Sequence, residues 1–115
     1  MRLAETEYRI LNLVWAEEGI TAKNLAEALR HSVGWSKTTT YTIISRCIQK
    51  GYIRREEPRF HCHSLISREQ VGEQETDALL GRYYADRPER LVASLLARGK
   101  ITAGQLKEFG VESLE

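Results

Sequence analysis

The sequence predicts a mainly α-helical fold with one small β-hairpin. Capped amphipathic segments recur through the first fifty residues, a short turn-containing basic stretch follows, and further helix-start signals lie beyond it. Three helices followed by a hairpin are typical of a winged helix-turn-helix domain, which we place at residues 1–66. Residues 67–115 then form a helical region of their own.

The first two helices are predicted from their caps and apolar stripes. The first covers Glu5–Glu17 and is closed by Gly19, and its stripe consists of Ile10, Leu11, Val14 and Trp15. Thr21 is expected to cap the second helix, after one or two strand-like residues at Ile20. Gly34 then permits the tight turn that separates this helix from the next.

The third helix is predicted over Lys37–Lys50, with Ser36 as its cap and Gly51 after its end. At 100° per residue its side chains divide into two faces. The inward face consists of Thr40, Ile43, Ile44 and Cys47. The outward face consists of Thr38, Thr42, Ser45 and Gln49, with Tyr41 and Arg46 beside it. The helix contains no acidic residue.

A two-stranded hairpin is expected next, from Tyr52–Arg55 and Phe60–Ser64 with a turn at Pro58. Ser67 and Gln70 then have the spacing of a capping box, which begins a fourth helix. This helix reaches about Ala85.

The remaining helices follow from similar signals. Asp86 is expected to be the acidic cap of a fifth helix closed by Gly99, and Thr102 caps a short last helix. Helices this short cannot bury all their apolar residues within one chain, so we expect them to pair with a second copy. The expected dimerisation residues are Leu79, Tyr83, Leu91, Val92, Leu95, Leu96, Leu106 and Phe109.

Composition sets broad limits on the function. The chain has 115 residues and a formal net charge of +1, and a chain of this size folds without disulfides or a metal. Two cysteines are too few for a disulfide framework, and no apolar run is long enough to span a membrane. We therefore expect a cytoplasmic protein with no membrane partner and no cofactor.

Charge is unevenly distributed along the chain. Residues 1–64 carry ten basic and seven acidic side chains, whereas residues 65–115 carry seven basic and nine acidic ones. Between Arg30 and Arg59 there are seven basic residues and only two acidic ones. A basic stripe of this kind is what a phosphate backbone attracts.

These features favour DNA as the ligand. An acid-free helix face approaches phosphates without repulsion, and threonine offers a hydroxyl to phosphate oxygens and a methyl group to thymine. Free N–H groups at the start of the helix, from Lys37 to Thr39, add anion affinity. Arg54, Arg55 and Arg59 of the hairpin would reach phosphates or a minor groove. The alternative is a winged-helix module that contacts proteins and binds no specific DNA.

The sequence resembles the penicillinase-repressor family of bacterial transcription regulators over nearly its whole length. The matching stretches are Leu3–Glu7, Val14-Trp15, Trp35–Thr42, Arg46, Lys50–Ile53 and Arg59. The resemblance implies a homodimer that blocks promoters by occupying a palindromic operator with TACA/TGTA-type half-sites. It places groove and phosphate contacts at Thr38, Thr39 and Thr42, a variable reading position at Tyr41, and backbone contacts at Arg46 and Arg59. Ser36, Lys37 and Arg54 complete the expected DNA-binding set.

The sequence departs from the family pattern at several positions. Ala4 stands where the family usually has a serine or threonine cap, Pro58 replaces a wing glycine, and His63 replaces a tyrosine. Antibiotic-responsive members are cleaved at an asparagine–phenylalanine bond in the fifth helix, and here those positions are Ser94-Leu95. A regulatory protease as partner is therefore in doubt.

Metal sensing and catalysis are two further classes of function. His61, Cys62 and His63 resemble a ligand cluster, but a strand would place the two histidines on one face and Cys62 on the other. A metal-responsive regulator stays an alternative on these three residues. The chain has no nucleophile–base arrangement, phosphate-binding glycine loop or zinc-helix motif, so we expect no enzymatic activity.

Overall fold

The computed structural model describes residues 2–110 and confirms the predicted fold class. The elements in chain order are α1 Glu5–Ala16, α2 Ala22–Val33, α3 Lys37–Gln49, β1 Ile53–Glu56, β2 His61–Ser64, α4 Arg68–Tyr83, α5 Pro88–Ala97 and α6 Ala103–Glu108. They fall into two compact units that divide within α4, after Gln74. The last five residues of the predicted region 67–115 lie outside the described residues. The expected boundary after residue 66 stays a prediction.

Helices α1, α2 and α3 form the core of the first unit together with the hairpin. The helical wheel predicts the inward face of α3 correctly. Its four residues are all buried, namely Thr40, Ile43, Ile44 and Cys47. Ile43, Ile44 and Cys47 pack with Ile10, Leu11 and Val14 of α1 and with Leu25 and Leu29 of α2. Burial of this continuous apolar cluster fixes α3 by its inner face and leaves its polar face outward.

Local capping explains where the helices begin. The hydroxyl oxygens of Thr21 and Ser36 accept from the N–H groups of Asn24 and Thr39, both at 3.1 Å. Between α2 and α3, Gly34 has φ +73°, a left-handed conformation that glycine adopts without steric cost. The predicted caps at these two helices and the predicted glycine turn are confirmed.

The hairpin consists of two antiparallel strands, with Ile53 opposite Ser64 and Glu56 opposite His61. Strand β2 also bonds to the segment before α2, because the N–H of Gly19 donates to the Cys62 carbonyl and that of Cys62 donates to the Ile20 carbonyl. The strand-like residues expected at Ile20 are therefore real. Each strand begins one residue later than predicted, because the Tyr52 N–H still donates to α3 and Phe60 adopts φ +55° in the turn.

The second unit contains the end of α4 with α5 and α6. Thr102 and Gln105 form the predicted cap of α6. The acidic cap expected at Asp86 is wrong: Arg87 occupies the cap position of α5 without a side-chain hydrogen bond. Asp86 has φ +57° and belongs to a left-handed turn with Ala85, and its carboxylate lies beside Gly81 of α4. None of the helices in residues 2–110 combines the length and apolar character needed to cross a bilayer.

Candidate nucleic-acid interface

The outward face of α3 is exposed and free of acidic side chains. Thr38, Thr42, Ser45 and Gln49 are all exposed, as the wheel predicts. A shallow open depression of about 470 Å³ runs along this face and is lined by Lys37, Thr38, Tyr41, Thr42 and Ser45. The face therefore offers hydroxyl groups, one aromatic ring and one ammonium group to a ligand.

The start of α3 is arranged by Ser36 and Thr39. The Ser36 hydroxyl accepts from the Thr39 N–H and donates to the Thr39 hydroxyl at 3.0 Å. Thr39 thus takes part in the cap. The sequence predicted a free N–H at Thr39, and this prediction is wrong because that N–H is bonded to Ser36. Within residues 2–110, the N–H groups of Lys37 and Thr38 have no hydrogen-bond partner and point toward the N-terminal end of the helix.

Tyr41 is half-buried at the border between α3 and the hairpin. Its ring makes an edge-on contact with Phe60, with the ring centroids 5.9 Å apart. The Lys37 ammonium lies 5.7 Å from the centroid of the Tyr41 ring. Tyr41 therefore belongs both to the reading face and to the packing that supports the hairpin.

The arginines of the hairpin differ in how they are held. Arg54 and Arg55 form ion pairs with Glu56 and Glu57 respectively. Arg59 is exposed and has neither an ion pair nor a hydrogen bond within the described part of the chain. Of the three wing arginines, Arg59 is therefore the one whose charge is fully available to an external phosphate.

Arg59 also contributes to a second basic depression, which the sequence did not predict. This depression of about 420 Å³ is lined by Thr21, Lys23, Asn24 and Arg59. It combines the first turn of α2 with the wing. The sequence predicted the cap at Thr21. It did not predict that Arg59 lies near the first turn of α2, because these elements are far apart in sequence and meet only in the fold.

Arg46 is exposed on α3, and its charge acts on α1. Glu7 of α1 has no exposed surface and forms an ion pair with Lys50 at 2.7 Å. Burial raises the Glu7 pKa. The hydrogen bonds from Lys50 and from the Ala4 N–H, together with the charges of Lys50 and Arg46, lower it by more, so the pKa lies below its usual value. Glu7 also accepts from the Ala4 N–H at 2.8 Å, which compensates in part for the missing side-chain cap.

The possible ligand cluster on β2 does not converge on one point. Cys62 is buried, while His61 bonds to the Gly19 carbonyl at 2.7 Å and His63 bonds to Glu56 at 3.2 Å. Residues 2–110 contain no group of three or more His, Cys, Asp or Glu side chains arranged to hold a metal ion. Burial raises the pKa of the Cys62 thiol to about 11 and that of Cys47 to about 12, which keeps both thiols protonated. The metal-responsive alternative therefore has no geometric support in these three residues.

Seven of the eight expected dimerisation residues lie in α4, α5 and α6, which contain no buried residue, and Phe109 follows the end of α6. Five of the eight are exposed, which are Leu79, Tyr83, Val92, Leu96 and Phe109. The other three, Leu91, Leu95 and Leu106, are half-buried. The largest exposed fractions are 80% for Phe109 and 69% for Tyr83.

Comparison with known proteins places the chain in a family. The profile of the penicillinase repressor family matches residues 3–110. The methicillin resistance regulatory protein MecI of Staphylococcus aureus strain N315 is 21% identical over 109 residues, which are 93% of this chain and 89% of the relative. MecI of Mammaliicoccus sciuri has the same identity and coverage.

A solved structure shares the fold. It is the solution structure of the monomeric form of Bacillus licheniformis BlaI in complex with the blaP half-operator. The match has a TM-score of 0.53 and 21% identity, and it covers 61% of this chain and 88% of that one. The chain therefore belongs to the penicillinase repressor family, a family of DNA-binding transcriptional repressors and not of enzymes.

Proposed function

We propose that the chain represses transcription as a homodimer that occupies an operator with dyad symmetry and blocks access to the promoter. The observation that carries the proposal is the exposed, acid-free face of α3, together with the unpaired Arg59 of the wing. The BlaI structure supports it, because that relative with the same fold is bound to a half-operator.

In this proposal α3 supplies base readout. Thr38, Tyr41 and Thr42 all line the depression along α3. Their hydroxyl groups, methyl groups and ring are suited to the edges of bases in a major groove. Ser36, Lys37 and Thr39 lie at the helix start, where the unpaired N–H groups favour a phosphate.

The basic residues supply affinity that does not depend on sequence. Arg59 is free of internal ion pairs, whereas Arg54 must give up Glu56 before it contacts a phosphate. Arg46 is exposed on α3, and its positive charge also acts on Glu7. Each phosphate that such a residue neutralises releases counterions, so binding weakens as the salt concentration rises.

The dimer is proposed from the apolar residues of the second unit. Leu79, Val92 and Leu96 are each 40% exposed, and the helices that carry them contain no fully buried residue. A second copy would remove this surface from water and place two reading helices at the half-sites of a palindrome. We accordingly propose residues 1–66 as the DNA-binding part and residues 67–115 as the dimerisation part.

We do not include cleavage at the family dipeptide in this proposal. Ser94 and Leu95 lie inside α5, and the Ser94 hydroxyl accepts from the Arg98 guanidinium at 3.2 Å. A protease that recognises asparagine–phenylalanine does not find that pair here, so release from the operator would need a different signal.

The decisive experiment is a selection of random DNA duplexes by the purified protein at near-physiological salt, together with sedimentation of the free protein. We expect enrichment of a palindromic site and a dimer at micromolar concentration. Retention of DNA without an enriched palindrome would refute the operator assignment. No salt-dependent retention at all would favour a protein-interaction module, and a monomer would refute the dimer.

A further inference from the structure

Phe60 lies where the turn of the wing meets both α2 and α3. It adopts φ +55°, a conformation that is uncommon for residues other than glycine. Its carbonyl accepts from the Ala22 N–H at 3.0 Å, which fixes the turn to the start of α2. Strained backbone of this kind persists when the surrounding contacts determine it, and here those contacts come from two other elements.

The Phe60 ring contacts two other side chains. The Arg55 guanidinium carbon lies 3.7 Å from its centroid, and the Tyr41 ring meets it at an interplanar angle of 79°. Arg55 is also paired with Glu57, so its position over the ring is held from a second direction. Cation–π and edge-to-face contacts are both attractive and directional, so the arrangement fixes orientation as well as position.

Tyr41 receives its orientation from this arrangement. Its ring is close both to Phe60 of the wing and to the Lys37 ammonium of its own helix. A tyrosine on an exposed helix face samples several rotamers and must be ordered when it binds. Because the Phe60 contact restricts Tyr41 before binding, the free protein already holds the ring in the lining of the depression along α3.

We propose that Phe60 is a positioning residue for sequence readout, which orients Tyr41 and joins the wing to α3. The inference rests on the proposed function above. It predicts that base discrimination at the position contacted by Tyr41 depends on Phe60, although Phe60 itself need not contact DNA. Because Phe60 joins the wing to α3, the phosphate contacts of Arg59 and the base contacts of α3 would form at a fixed spacing along the DNA.

The test compares the enriched site and the salt dependence of wild type, Phe60→Leu and Phe60→Tyr. Phe60→Leu keeps apolar bulk but removes the ring, so we expect a loss of about two- to twelvefold in discrimination at one base pair of each half-site. The number of counterions released should not change. Phe60→Tyr keeps the ring and should restore the wild-type preference. Circular dichroism of each variant checks that it is folded.

The Tyr41→Ala background shows whether Phe60 acts through Tyr41. In that background we expect Phe60→Leu to cause no further change in base preference. A change that persists there would overturn the inference, as would an unchanged preference in Phe60→Leu alone. A uniform loss of affinity on all sequences would also overturn it.

A measurement on the wild-type protein is independent of the folding of any variant. Nuclear Overhauser contacts between the Tyr41 and Phe60 rings are expected in the absence of DNA, and their absence would overturn the inference. Failure of the wild type to enrich any palindrome would instead refute the proposed function. Enrichment by the wild type with an unchanged Phe60→Leu preference would refute the role of Phe60 alone.

Discussion

The ion pair between Glu7 and Lys50 joins the start of α1 to the end of α3. The Glu7 carboxylate has no exposed surface, while the Lys50 side chain is 46% exposed. Lys50→Met removes the partner and leaves a buried carboxylate with only the Ala4 N–H and the more distant charge of Arg46. We expect this substitution to lower the free energy of unfolding more than a surface substitution does.

The magnitude follows from the burial of Glu7. Leaving a buried charge without its partner typically costs about 3–5 kcal/mol, and we expect about 3 kcal/mol here because two favourable interactions remain. The penalty falls on Glu7, because Lys50 is the partner that already reaches water. Loss of an ordinary surface ion pair would cost about 1 kcal/mol or less.

The destabilisation caused by Lys50→Met should weaken as the pH falls. In the wild type the Glu7 pKa is lowered, so its stabilising contribution is complete above about pH 4.5 and is lost as the pH falls through the lower folded-state value. Burial is the largest single influence on the Glu7 pKa, and Lys50 supplies two of the four influences that oppose it, so we expect Lys50→Met to raise this pKa above the unfolded-state value. The penalty is then greatest near neutral pH and disappears as the pH falls through that raised pKa, because the carboxylate becomes neutral.

Urea unfolding followed by tryptophan fluorescence near pH 7 and near pH 5 tests this reasoning. Lys23→Met is the matched control, since Lys23 is exposed and has no ion pair among residues 2–110. We expect the difference between Lys50→Met and the control to shrink at the lower pH. A loss below about 1 kcal/mol, or a loss that does not change with pH, would refute the buried-charge argument.

Three predictions concern the proposed DNA complex. Arg59→Ala should weaken binding about equally on all duplexes and flatten the dependence of affinity on salt by about one released counterion; a changed base preference with an unchanged salt slope would contradict its role. Thr42→Val keeps the shape but removes the hydroxyl, and it should reduce discrimination at one base pair by about 1–3 kcal/mol in competition assays, with Arg59→Ala as the control. Leu96→Glu should convert the dimer to a monomer in sedimentation while circular dichroism stays unchanged, because the new charge would have to be buried in the interface; a persistent dimer would place the interface elsewhere.

Local signals predicted the helices well because their physics acts within one turn. The caps at Thr21, Ser36 and Thr102 each need a residue three positions away, so spacing alone reveals them. The cap expected at Asp86 failed because Asp86 belongs to a left-handed turn, in which its carboxylate lies beside Gly81 of α4. The inward face of α3 was predictable because burial follows the helical period.

Contacts between distant residues were not predictable in the same way. Glu7 and Lys50 meet only after α1 and α3 pack together, and nothing in the local sequence distinguishes Glu7 from an exposed first-turn glutamate. The contact between Tyr41 and Phe60 likewise depends on where the wing folds back. The sequence showed that the wing is basic; the structure adds that Arg54 and Arg55 pair with Glu56 and Glu57, two residues further along the chain, and that Arg59 has no such partner among the described residues.

The pairing of the hairpin also bears on how the free protein avoids aggregation. Strand β2 is bonded on both sides, to β1 and to the segment at Gly19 and Ile20, so β1 is the strand with an open edge among residues 2–110. An open edge is a template for strands of other molecules unless its side chains prevent their approach. β1 carries Arg54, Arg55 and Glu56 in succession, and all three are exposed. The charges that make the wing attractive to a phosphate backbone therefore also protect its edge, and their replacement by apolar residues would cost solubility as well as DNA affinity.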